Sequence, residues 1–280
     1  MKVIKRQRVS FQHILSGAVI LFLFVGLYYP VILKLISQWS EDPNYSHGFI
    51  VPLISGYLIW KKRGILKDTD LAPSTWGILV LIGGLVLFVL GNLAAELFTM
   101  RTSMLVVLAG LIISVYGLTL FRYLLFPYCY LYFMIPLPYL LYDSIAFPLK
   151  LFVAKYSVLT LQSCNISVYR EGNIIMLPHI TLEVAEACSG IRSLISLLVL
   201  GVAFAHFSQK TRVNKAILVI STLPIAVFTN AIRVVGTGFL ANFFGEGAAE
   251  GFFHEFAGLT IFVISMFLLI TVSTILNKIS

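Results

Sequence analysis

The chain has 280 residues, 59% of them hydrophobic and only 11% charged, with a net charge of +8. Soluble domains carry about 25% charged residues, so this composition excludes an ordinary soluble domain and points to a polytopic membrane protein. No soluble segment interleaves basic and aromatic residues. Nucleic acid is therefore excluded as a partner, and the positive excess bears on membrane orientation instead.

A spanning helix needs about 20 mostly apolar residues. Taken in chain order, eight stretches qualify: about 12–34, 46–60, 76–95, 102–120, 122–138, 190–207, 215–240 and 255–276. The first exceeds the roughly 7–15 residues of a signal-peptide core and lacks a clear cleavage site, so it reads as an uncleaved helix. The stretch 139–164 is interrupted by Asp143, Pro148, Lys150 and Lys155. That mixture suits an amphipathic helix at the interface. Beyond it, "ISVYREGNIIMLPHITLEV" alternates and carries turn signals at Glu171-Gly172-Asn173 and Pro178-His179, as a small β-hairpin or three-strand flap would. The expected fold is thus an all-α polytopic membrane protein of about eight transmembrane helices. It forms a single integral domain over 1–280, with 139–189 as an exterior insertion made of an interfacial helix and a β-hairpin flap.

Alternation of the spans gathers Lys2, Lys5, Arg6, Arg8, Lys61, Lys62, Arg63, Lys67, Arg122, Lys210, Arg212, Lys215 and Lys278 on one side. By the positive-inside rule that side is cytoplasmic, with both termini there. Every acid except Asp68 and Asp70 falls on the other side.

Three reactive side chains reach the exterior boundary from distant parts of the sequence. Cys188, in "EACSGIR", lies just before the sixth span, where Ser189-Gly190 offers an N-cap and the helix dipole favours a thiolate. The competing reading is a small packing residue, or a disulfide with the exterior Cys164. Cys129, inside the fifth span, reads as packing. Arg233, in "NAIRVVGTG", sits about 25 Å along the seventh span, near the edge of a hydrocarbon core about 30 Å thick. An arginine costs about 2.5–3.5 kcal/mol at a helix centre and less near the edge. It either snorkels to headgroups or joins Thr229 and Asn230 in a polar stripe facing the bundle, where a guanidinium holds a carboxylate or a developing oxyanion. His254, in "GFFHEFAG", is either an interfacial histidine or an acid–base group that works near neutral pH.

Four further residues are candidates for substrate binding: Arg192, Asn230, Glu186 and His47, the last a rival exterior histidine in "NYSHGF". Arg192, in the first turn of its span, is either an interfacial anchor or a group for a substrate carboxylate or lipid phosphate. No G-x-S-x-G, H-E-x-x-H, C-x-x-C or P-loop occurs, and neither a metal nor a cofactor is expected.

"EACSGIR", then "NAIRVVGTG", then an exterior histidine resembles the exosortase/archaeosortase family of membrane cysteine transpeptidases. "WSEDPNYSHGFIVPLISGYLIWKKR", "FPYCYLYFMIPLP" and "REGNIIML" resemble it too, so the likeness runs from about Trp39 to Gly258. Archaeal relatives can carry arginine at the position of His254, so the histidine implies the bacterial exosortase type. The resemblance implies a Cys188–Arg233–His254 site at the outer face of the inner membrane. It also implies exported substrate proteins with a C-terminal sorting signal of PEP-CTERM type: a short motif, a transmembrane helix and a basic tail. Cleavage would pass through a thioester and deliver the protein to an acceptor, a lipid or a glycan. Two other readings compete. A transporter or flippase for a lipid-linked saccharide would use Arg233 as an anion site. A scaffold subunit of an export complex would tolerate Cys188→Ser.

Overall fold

The computed structural model describes residues 11–178, 181–183, 191–245 and 252–279; side chains are described from residue 19 onward, apart from 182–183, 191 and 252–257. Ten α-helices occur among the described residues. They are α1 Phe11–Glu41, α2 Ile50–Lys61, α3 Arg63–Asp68, α4 Trp76–Leu93, α5 Leu97–Tyr116, α6 Leu118–Tyr130, α7 Tyr139–Ser163, α8 Ile191–Ser208, α9 Arg212–Phe244 and α10 Phe252–Ile279. A 3-10 turn, Pro43–Phe49, leads into α2, and another, Leu131–Met134, follows α6.

Six of these helices are long and apolar enough to cross a bilayer: Val19–Glu41 within α1, then α4, α5, α7 and α9, and Gly258–Ile279 within α10. Arg192–Ser208 is a shorter apolar helix. Three of the eight expected spans are not among these six: 46–60, 122–138 and the shorter helix at 190–207. The stretches 46–60 and 122–138 form helices of only 12 and 13 residues, each joined to a 3-10 turn. The structure differs again at 139–164, which is one unbroken helix of 25 residues despite Pro148. Its apolar residues lie all round rather than on one face, so length and composition alone would let it cross. The outward faces are apolar as well. On α4, Trp76, Leu79, Ile82, Val86, Val89 and Leu93 are all exposed, as befits a helix solvated by lipid.

The chain packs as two compact units. The first takes α1 and Ser55–Ile135. Its tightest feature is the α4–α5 hairpin, built on a glycine at every seventh position. Gly77, Gly84 and Gly91 face Ser114, Val107 and Met100 in antiparallel register. Lipid offers no hydrophobic driving force for helix pairing, so small residues that let backbones approach supply the stabilisation. A Cβ on Gly84 would lie 2.7 Å from Val107 Cγ2 and 2.8 Å from its backbone nitrogen. Gly84→Leu is therefore expected to destabilise the protein by about 2–3 kcal/mol through overpacking. Thermal melting in detergent should show the loss, whereas an unchanged melting temperature would mean that the two helices do not touch there.

Glu96 starts α5 as its N-cap, accepting from the backbone N–H groups of Phe98 at 3.0 Å and Thr99 at 2.6 Å. Partial burial raises the pKa of its carboxyl, but the bonds from Thr99 and Phe98 and the charge of Arg101 outweigh that effect and leave it below the ordinary value. A lowered folded-state pKa stabilises the fold above the unfolded value, and that contribution is lost as pH falls through the folded value. Glu96→Ala should cost about 1 kcal/mol near neutral pH. The gap to wild type should close as the buffer is taken below the carboxylate range.

The same unit is cross-tied by side-chain hydrogen bonds. Trp39 Nε1 donates to Met134 O at 2.9 Å. Ser55 Oγ donates to Pro127 O at 2.9 Å. Tyr28 and Ser103 hydroxyls pair at 3.0 Å deep between α1 and α5.

The second unit takes Pro43–Ile54 and the chain from Pro136 onward. Its three-stranded antiparallel sheet follows chain order: β1 Tyr169–Glu171, β2 Ile174–Met176 and β3 Thr181–Glu183. The expected flap is present, and Gly172, at φ +60, makes the tight turn that joins its first two strands. Ile175 and Leu177 sink from this sheet into a core shared with Val153, Ala154, Val158 and Leu161 of α7 and Val234 of α9. A second core joins Leu194, Leu197 and Ala205 of α8, Leu218 and Ala226 of α9, and Leu269 of α10. A short turn joins α8 to α9, so the two run antiparallel. The far end of α8 is clasped to α10, where Gln209 Nε2 donates to Ser273 Oγ at 2.7 Å.

Both ends of α7 touch other elements of this unit. The ring of Tyr142 lies 6.4 Å from that of Tyr45, in the 3-10 turn before α2. Leu161 lies under Gly238 of α9, where an added Cβ would sit 2.8 Å from Leu161 Cδ1.

Candidate active site

The chemistry gathers at the beginning of α8 and about two-thirds of the way along α9. Arg233 lies about 31 Å along α9 from Arg212, and it is buried, only 9% exposed. Thr229 and Asn230 are buried one turn earlier, and Thr229 pairs with Ser265 of α10 across a 2.8 Å hydroxyl contact. The polar stripe anticipated from the sequence thus faces the bundle. Snorkelling does not describe an arginine packed between helices.

Room for the guanidinium comes from α10. Gly258 stands beside it, so that a Cβ added there would lie 3.4 Å from Arg233 Nη2 and 3.7 Å from Cζ. Any larger side chain at 258 would compete for the space the guanidinium fills.

A cavity of about 820 Å³ opens here. Arg192 and Arg233 both line it, together with His47 from the 3-10 turn before α2. Ser46, Ser193 and Ser196 add hydroxyls, while Ile50, Val199, Leu200, Leu259 and Phe262 make apolar walls. The cavity can bind an anion or steady a developing oxyanion, because guanidinium groups in a partly water-excluded site need no reorganisation to do so.

Of the sequence candidates, Arg233, Arg192 and His47 come together on this cavity. Asn230 is buried next to it without lining it. His254 lies in the first turn of α10, four residues before Gly258. Cys188 and Glu186 lie outside the described residues. Cys164 is exposed beyond the end of α7. Cys129 corrects the expectation of a packing residue: it faces outward from α6, because Leu124, Pro127 and Tyr130 form that helix's buried side. Sequence reading missed Ser193, Ser196 and Gly258. Ser196 did carry a signal, since 192, 196, 199 and 200 recur at helical spacing below the cysteine block.

Among the described residues no group of three or more His, Cys, Asp or Glu side chains could hold a metal ion. Comparison with curated proteins and with solved structures finds no match. The transmembrane exosortase family does match, over residues 39–271, a stretch that takes in the cavity and every candidate residue around it; the chain belongs to that family.

Proposed function

We propose that this protein is a membrane-embedded cysteine transpeptidase that cleaves the C-terminal sorting signal of exported proteins and passes them to an acceptor. Family membership supports a membrane transpeptidase or protease role in general. One observation carries the finer reading: a buried Arg233 guanidinium, seated against Gly258, in a cavity that also holds Arg192 and His47. Covalent geometry supports bringing the other two groups there. Cys188 is four residues from Arg192, and an extended chain covers at most about 14 Å in that distance. His254 is one helical turn, about 6 Å of rise, from Gly258.

In this mechanism the Cys188 thiolate attacks the scissile carbonyl carbon, and Arg233 steadies the oxyanion. The C–N bond then breaks, and imidazolium His254 gives its proton to the leaving amine. A thioester remains on Cys188. An acceptor amine or hydroxyl attacks that carbonyl, His254 takes the proton, and the thiolate departs. Substrates would carry a PEP-CTERM type signal: a short motif, a transmembrane helix and a basic tail. Water as acceptor would give simple proteolysis.

Packing also supports an eight-span topology with both termini in the cytoplasm. With its 3-10 turn, α2 reaches about 32 Å and α6 about 28 Å, close to the hydrocarbon thickness. Tyr142 near one end of α7 packs on Tyr45, two residues from His47, and Leu161 near the other packs on Gly238, five residues from Arg233, which supports a helix lying along the interface instead of crossing. The flap and the cysteine block then stay on the exterior face of the inner membrane.

The test is to trap the intermediate. Co-expression with a tagged substrate bearing a sorting signal should yield a covalent adduct at Cys188 that hydroxylamine releases. Substrate processing that persists after Cys188 has been alkylated would refute the mechanism.

A further inference from the structure

We propose that the cavity is also a seat for a glycerophospholipid, with the phosphodiester held by Arg192 and Arg233 and an acyl chain lying over the apolar walls. This goes beyond the proposed reaction and is read out without it.

The walls grade the same way on more than one element. Along α8, Arg192, Ser193 and Ser196 give way to Val199 and Leu200, a descent of about 12 Å. From the 3-10 turn into α2, Ser46 and His47 give way to Ile50. Leu259 and Phe262 of α10 continue the apolar part beyond Gly258. A cationic, hydroxyl-bearing rim over an apolar floor mirrors a phosphate headgroup over its chain.

Charge points to the same occupant. No aspartate or glutamate is among the described residues lining the cavity, yet two guanidinium groups share it. Arg192 Nε is buried with no hydrogen-bond partner among the described residues. A donor on a charged group left in that state is costly, and an anionic acceptor removes the cost. A phosphodiester offers four oxygens to two guanidinium forks and the hydroxyls of Ser193 and Ser196, whereas a carboxylate offers two. An acidic peptide running down the apolar floor, as opposed to a scissile bond presented at the polar rim, fits less well, because its backbone N–H and C=O groups would have no partners there.

The purified full-length chain, stripped of lipid in detergent, is titrated with phosphatidylglycerol and followed by native mass spectrometry. The expected result is one phosphatidylglycerol retained per chain, with chain-matched diacylglycerol binding at least about tenfold more weakly. Arg192→Gln should lose at least about tenfold in affinity for phosphatidylglycerol. Arg170→Gln, on the flap and away from the cavity lining, should change nothing. Equal binding of diacylglycerol and phosphatidylglycerol by the wild type would overturn the proposal, and that comparison stands even if Arg192→Gln does not fold. It would also be overturned by a folded Arg192→Gln that binds phosphatidylglycerol like the wild type. Binding of a short peptide bearing one glutamate, without binding of phosphatidylglycerol, would identify an acidic peptide as the occupant instead.

Discussion

Cys188→Ala is expected to abolish processing of a co-expressed substrate, a loss of at least about 10³-fold, the scale seen when a covalent nucleophile is removed. Cys188→Ser should fail almost as badly. A serine hydroxyl titrates far above a thiol and needs a base poised to take its proton, whereas a cysteine already carries some thiolate near neutral pH. The measurement is the ratio of processed to unprocessed substrate on a blot, with enzyme levels matched. A scaffold subunit would tolerate both substitutions, so normal processing in either variant would favour that role.

Arg233→Lys should lower turnover by about 10²–10³-fold, the usual consequence of removing one oxyanion donor. Lysine keeps the charge, but it loses the planar fork that presents two parallel N–H groups. The surroundings sharpen the expectation. Arg233 is buried against Gly258, and a lysine there would place a compact ammonium in a space shaped for a flat group. Gly258→Leu should approach the same defect by pushing the guanidinium aside. Gly258→Ala should keep most of the activity, because its Cβ would make only an ordinary contact 3.4 Å from Nη2. If Arg233→Lys kept full activity, the residue would be an anchor and not an oxyanion partner.

Much of this architecture was legible before any coordinates, for a physical reason. In a bilayer each spanning segment must satisfy its own backbone, so hydropathy writes helices directly into sequence. The flap was legible too, because alternation bounded by Gly172-Asn173 needs no distant partner to be read. The polar stripe of Thr229, Asn230 and Arg233 followed from helical spacing alone. The stretches 46–60 and 122–138 were harder. Local backbone winding, α or 3-10, decides their length, and composition does not report it.

The sequence by itself determined that the chain is built of apolar helices and carries an arginine within one of them, because periodicity and charge placement are local properties. Tertiary structure alone decided that His47, Arg192 and Arg233 share one cavity. It alone decided that Gly258 leaves space for a guanidinium and that α7 packs on Tyr45 at one end and on Gly238 at the other. Those facts depend on which faces pack together, and helix packing in lipid is set by shape between residues far apart in the chain.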